Sequence, residues 1–553
     1  MHQCLQISEI LCLIVKFISE GRIIVPWEGD NPIIRRDLLS LTLTCKTIHG
    51  VAVAALWKRQ DSFVPLLKCL PSDLWHFNPV TNLMSFCRPL VPTDWVRFQH
   101  YAPSVQSLTV GSDVAPEALE NLAMYGPLGP DHGLLPNLRT LSFSVKHVES
   151  LVHLIIFLNP NLRSLEINDG GWNLVPDFSG LGDVLGDVAP LLANLALRMP
   201  PSVENIDIRR STGALTSFSS LPQHLKTISW DIPFDLTDVI HLAALPQLTH
   251  VSIFLPDNIA DVQLLQTSVH GNALFPALRC LELRAQSLLH GKIFLNFLGK
   301  HTLERLVLCA DEIPDEQDLD NVAEVLKSLR RNSGDPHVLE SLTVSCDDLL
   351  DEAEDYALPF DVLRKNLLIF HNMKQLALDV PVTVNGDDDN LEELAQALPH
   401  IEKVQLGSRP TAQHTSFTLR GLSSFARHCA SIRWLTISIN AELEDEKADQ
   451  DGTWEDLGTG EELVDLTLAR SSLIFPLPVA RILCRMFPKL SDVFWEGDPA
   501  QWGPLEEYVI EFSNCREEAE WDAWMRESVP SPSVLDSGSE EDEEGEKWMN
   551  SAS

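Results

Sequence analysis

One phrase recurs through the chain and limits what it can fold into: an apolar residue, two others, an apolar residue, one other, and a third apolar residue. It occurs as VQSLTV, LRTLSF, LRSLEI, VENIDI, LKTISW, LTHVSI, LRCLEL, LERLVL, LESLTV, MKQLAL, IEKVQL, IRWLTI, LVDLTL and LSDVFW. The central residues stand at 108, 141, 165, 206, 228, 251, 281, 306, 342, 376, 404, 435, 466 and 493, so the copies lie 22 to 41 residues apart. Within each copy the last two apolar positions alternate as in a strand with one buried face. One such strand cannot cover its apolar side, but stacked copies bury a continuous core, which is the signature of a solenoid. Between the phrases, DLDNVAEVLKSLRRN, NLEELAQALPH and FPLPVARILCRMF read as helices. The predicted class is α/β, an irregular solenoid over 105–515 with a curved parallel sheet and outer helices.

A second regularity supports the phasing. A proline stands two residues before the first apolar position at Pro103, Pro136, Pro160, Pro201, Pro246, Pro276, Pro399 and Pro488. Such a residue ends the preceding helix and starts the turn into the strand.

Composition narrows the partners. The 553 residues carry a formal net charge of -38, which repels phosphate backbones and anionic membrane surfaces. It favours partners with basic patches. The eleven cysteines are scattered and form no C-x-x-C pair. They read as reduced thiols of a cytoplasmic or nuclear protein. No stretch reaches the roughly 18 uninterrupted apolar residues that span a bilayer. LVHLIIFL is too short and ends at Asn159-Pro160, and the N-terminus lacks the basic start of a signal peptide.

Before the array, residues 1–60 read as three short helices. Ile7, Ile10, Leu11, Ile14, Phe17 and Ile18 follow the rhythm of one helical face, with Ser8 as N-cap and Glu9 in the first turn. A spacer broken at Gly21, Pro26 and Pro32 leads to a second helix starting near Asp37, its face being Leu38, Leu41, Cys45 and Ile48. A third segment carries Ala52, Ala55, Leu56 and Trp57. Three short helices bury little surface alone, so the module needs a partner or the following domain.

These residues carry a resemblance. Glu9-Ile10-Leu11 matches the Glu-Ile/Leu-Leu core that opens the first helix of an F-box. Leu38, Leu41, Leu43, Cys45 and Lys46 match its Leu-x-x-Leu-x-Leu-x-Cys-Lys/Arg phrase, and Ala52, Leu56 and Trp57 its Ala-x-x-x-Leu-Trp close. The chain departs from the family in lacking the proline before Glu9, in having Ile48 where an aromatic follows Cys-Lys, and in its longer spacer. The resemblance implies binding to the Skp-type adaptor of a cullin ubiquitin ligase through Ile7, Glu9, Ile10, Leu11, Leu38, Leu41, Cys45, Lys46, Leu56 and Trp57. The plainer alternative is a helical cap on the array.

The array itself resembles degenerate leucine-rich repeats of the fungal F-box type. The asparagine that follows the phrase in regular repeats is nearly absent, with only Asn440 in place and Asp311 and Asp347 as acidic stand-ins. The resemblance implies an open sheet face that recognises a protein target; the alternative is a structural spacer.

The rest is connective. Residues 61–104, with Pro65, Pro71, Pro79, Pro89 and Pro92, read as turns and one or two short helices. Residues 516–553 form an acidic, largely disordered tail in which Ser537 and Ser539 precede acids. Acidic clusters near 347, 386 and 442 lack calcium-loop spacing. The glycines of GLGDVLG do not follow a strand, and no nucleophile, zinc or phosphate-loop motif is found. The chain is therefore expected to be no enzyme and to use no cofactor. Its expected role is substrate recognition within a Skp–cullin–F-box ligase, the alternative being an interaction scaffold with no ligase role.

Overall fold

The computed structural model describes residues 8–20, 32–126, 133–144, 148–168, 200, 202–208, 221–233, 236–256, 258, 262–264, 274–311, 316–346, 356–407, 416–443, 454, 457–468, 471–495 and 502–514. Ile7, the GLGDVLG segment, Asp347 and the tail lie outside them.

Each of the fourteen phrases forms a strand, and these strands line up in one parallel sheet whose lateral order is the order of the chain. A fifteenth strand, Arg59–Gln60, stands at the N-terminal edge and pairs with Ser107–Val110. The central positions are in step, with one register shift beyond Trp230, where Pro233 lies opposite Phe254: Leu108 lies opposite Leu141, then Leu165, Ile206, Ile228 and Val251. The row continues through Leu281, Leu306, Leu342, Leu376, Val404, Leu435, Leu466 and Val493. All fourteen side chains of this row are buried, as are all fourteen first positions from Val105 to Leu490. A strand slipped by one residue would turn its apolar pair outward, which is why insertions of uneven length leave the register intact.

The prolines act one step later than helix termination. The amide of the first apolar residue donates to the carbonyl three residues back, as from Val105 to Ala102, Leu138 to Leu135, Leu278 to Phe275 and Leu490 to Phe487. The proline is then the second residue of a turn, where its fixed φ is favoured. Side chains one position later bridge some of the turns, in a chain where the asparagine that follows the phrase in regular repeats is nearly absent. Asn137 donates to the Pro103 carbonyl at 2.8 Å, Asn161 to Pro136 at 2.9 Å and Asn372 to His337 at 2.8 Å. Each ties a turn to the same turn of the preceding repeat.

Helices pack on the buried side of the sheet, among them Leu288–Leu298, Glu316–Asn332, Asp388–Ala397, Leu419–His428 and Pro476–Met486. Phe294, Leu326, Leu394, Phe425 and Leu483 reach inward from them. The connector holds helices Val64–Leu67 and Val96–Tyr101, and also a hairpin, Trp75–Asn78 with Leu83–Phe86, which sequence reading did not anticipate. Nor did it anticipate the short parallel pair Tyr356–Pro359 and Val382–Asn385. Among the described residues no helix is long and apolar enough to cross a membrane.

At the N-terminus the helices are α1 (Ser8–Glu20), α2 (Pro32–Thr42) and α3 (Lys46–Lys58). The expected start of α2 near Asp37 is five residues late. Pro32 opens the helix instead of breaking it, because a proline at the first helical position has no amide to lose. The expected face Leu38, Leu41, Cys45, Ile48 is split between two helices. Thr42 and Thr44 turn back onto the carbonyls of Leu39 and Leu41, ending α2, and Cys45 becomes the N-cap of α3.

Candidate functional site

Two surfaces offer themselves, the helical module and the open face of the sheet. In the module, α1, α2 and α3 pack against one another. Leu11 and Val15 of α1 and Leu38 of α2 are buried, at 2%, 3% and 4% exposure, so Leu11 and Leu38 belong to the module's own core. Ile10, Leu41, Cys45, Leu56 and Trp57 are half-buried, and Glu9 and Lys46 are exposed. Ile7 lies outside the described residues. The Ile48 and Thr47 amides at the head of α3 draw the Cys45 thiol below its ordinary pKa, with burial working the other way.

α1 is apolar on more than one side, and the module covers only one. Leu13, Phe17, Leu39 and Leu43 remain exposed, Phe17 at 67% and Leu43 at 80%, with Ile14 and Cys12 beside them on α1. Phe17 and Ile14 were on the helical face read from periodicity, and Leu43 was in the matched phrase. Leu13 and Leu39 were missed; the surplus of apolar residues in LCLIVKFI was the available signal.

The module is joined to the array without slack. The Trp57 ring stacks on Tyr101 with centroids 4.7 Å apart. The Gln106 amide donates to the Lys58 carbonyl at 2.9 Å, and Gln60, next after α3 and Arg59, lies opposite Leu108 in the sheet. The Gln60 side chain donates back to the Leu56 carbonyl at 2.8 Å.

On the open face the chemistry changes along the array. Toward the N-terminal end the residue before each central apolar position is small and polar: Ser107, Thr140, Ser164, Asn205 and Thr227. Thr227 donates to the Asn205 side chain at 2.7 Å. Toward the other end the same row runs Gln375, Lys403, Trp434, Asp465 and Asp492. One position earlier a charged column follows the rim. Its pairs include Lys226–Glu204 at 2.8 Å, Arg279–Glu304 at 2.5 Å and Lys374–Glu340 at 2.7 Å. Lys226 and then Arg163 hold Glu204 below the ordinary carboxylate range against a contrary effect of burial.

Among the described residues no group of three or more His, Cys, Asp or Glu side chains is placed to hold a metal ion. No protein-family model matches the chain, and no curated protein matches it.

Proposed function

We propose that the chain is a two-surface adaptor: an F-box-like module that docks a Skp-type adaptor of a cullin ubiquitin ligase, followed by a leucine-rich-repeat array whose open face takes a protein target. The observation that carries the reading is the division of apolar residues in the module. Leu11, Val15 and Leu38 lie in its interior, while Leu13 and Phe17 on α1, Leu39 on α2 and Leu43 in the turn just after it stay in water. Leu13 and Phe17 stand one turn apart on α1, and large apolar side chains left exposed side by side in this way mark an interaction surface. The resemblance at Glu9-Ile10-Leu11, at Leu38 to Lys46 and at Leu56-Trp57 names its partner. The rigid joint at Trp57, Lys58 and Gln106 suits an adaptor, since a target held at a fixed place near a reacting group gains effective concentration.

The test is co-purification of the full chain with a Skp-type adaptor. The wild type binds, and the double variant Phe17→Asp/Leu43→Asp, which leaves the module's core untouched, binds about tenfold or more weakly with an unchanged thermal midpoint. Absence of binding by the wild type would leave the scaffold role with no ligase function. Equal binding by the double variant would refute the assignment of this face.

A further inference from the structure

The C-terminal end of the open face holds a patch unlike the rest of the row. Trp434, Asp465 and Asp492 are successive lateral partners, so their side chains stand about 4.8 Å apart along the sheet. Phe494 lies two residues beyond Asp492 in the same strand and therefore on the same face. Trp434 is 42% exposed and Phe494 57%. Two aromatic faces thus flank a pair of carboxylates.

That pair is unusual for this chain. Glu204, Glu304 and Glu340 in the rim column are each neutralised by a lysine or arginine of an adjacent repeat. Among the described residues, neither Asp465 nor Asp492 has an ion-pair partner, and Asp492 accepts only the hydroxyl of its neighbour Ser491 at 2.7 Å. Like charges directly opposite one another in a sheet are destabilising, so the arrangement carries a cost that a cationic guest removes. Lys403 holds the place on the far side of Trp434, which directs a guest's cation toward the aspartates.

We propose that Trp434, Asp465, Asp492 and Phe494 form a docking site for an arginine-bearing basic segment of a protein target. This rests on the reading of the open face as the target-binding surface. A guanidinium lies flat on an indole by cation–π attraction and presents its donors in the plane that two carboxylates can accept. Phe494 takes an apolar neighbour in the segment. Nucleic acid and anionic lipid are disfavoured by the same carboxylates and by the net charge of -38.

The experiment is fluorescence polarisation with the full chain and a fluorescein-labelled peptide of alternating arginine and leucine, with the alternating glutamate–leucine peptide as control. The wild type binds the basic peptide and not the acidic one. Asp465→Asn/Asp492→Asn, which preserves shape, weakens binding about tenfold or more, and Trp434→Ala weakens it severalfold. Glu507→Gln/Glu511→Gln removes the same charge from the exposed side of the helix over residues 502–514 and leaves binding unchanged. Equal loss in that control would show attraction by net charge alone and overturn the site, as would full binding by the aspartate variant or none by the wild type. Adaptor co-purification is read separately: if the adaptor binds and the peptide does not, this site fails and the adaptor reading stands.

Discussion

Leu342→Ala tests whether the array is a chain of neighbours or a single cooperative block. Leu342 is fully buried in the middle of the apolar row, opposite Leu306 on one side and Leu376 on the other. Truncating a fully buried leucine costs about 3–5 kcal/mol, the lost transfer energy plus the cavity left behind. In a solenoid each repeat touches only its neighbours, so that cost falls on the couplings to the adjacent repeats. Hydrogen exchange followed by mass spectrometry is the direct assay. Amides of Arg305–Ala310, Ser341–Cys346 and Gln375–Asp379 are expected to exchange about a hundredfold or more faster, one tenfold step for each 1.4 kcal/mol. Those of Ser107–Val110 and Asp492–Phe494 keep their rates. Thr343→Ala, on the open side of the same strand, leaves all of them unchanged. Uniform acceleration from end to end would refute neighbour-only coupling, and no acceleration would refute the buried row.

Three further substitutions probe groups outside the row. Burial holds the His301 imidazole down to about 4 against an ordinary value of 6.5, so between those values the unfolded chain takes up the proton first and stability falls as pH drops. His301→Leu should flatten the pH dependence of the urea midpoint across that window; an unchanged slope would show that another group is responsible. In the connector, Asp94 is buried and accepts two bonds from Arg88, at 2.8 and 3.0 Å, and one from the Val91 amide at 2.9 Å. Asp73 meets the same arginine at 3.0 Å from an exposed position. Asp94→Ala is expected to lower the thermal midpoint by several degrees and Asp73→Ala to leave it in place, and similar melts for the two would count against burial as the source of the difference.

The array was legible in the sequence because a strand's period of two ties parity to burial. Once Leu108 and Val110 are read as inward, Ser107 and Thr109 must face out, and the same parity fixes each of the other strands whatever loop separates them. Helix limits had no such lock. A proline such as Pro32 can either break a helix or open one, and only the packing of α2 on α3 selects the second role. In α1 nearly every side is apolar, so periodicity marks a helix without saying which side turns inward. The position of α2 and α3 decides that Leu11 is core and Phe17 surface. The amide ladder of Asn137, Asn161 and Asn372 was written in the sequence as a polar residue before the phrase. Its partners, however, are carbonyls about one repeat away, which become neighbours only when the turns stack.

The same limit explains why the patch at Trp434 was not read from sequence, and it also fixes what the patch means. Asp465 and Asp492 are 27 residues apart in the chain, and nothing local marks them as lateral partners or as lacking a cation between them. Their place is set by the register, which begins at Gln60 against Leu108 and is therefore continuous with α3. From Arg59–Gln60 to Asp492–Phe494 there are fourteen lateral steps of about 4.8 Å, or about 67 Å along the sheet. A guest held at Trp434 thus sits at the far end of the array from the exposed face of α1 and α2. The two surfaces are separated by a packed sheet with no linker between α3 and the first strand. Their relative position is then a property of the fold. If the chain works as the proposed adaptor, the number of repeats sets where the target is presented.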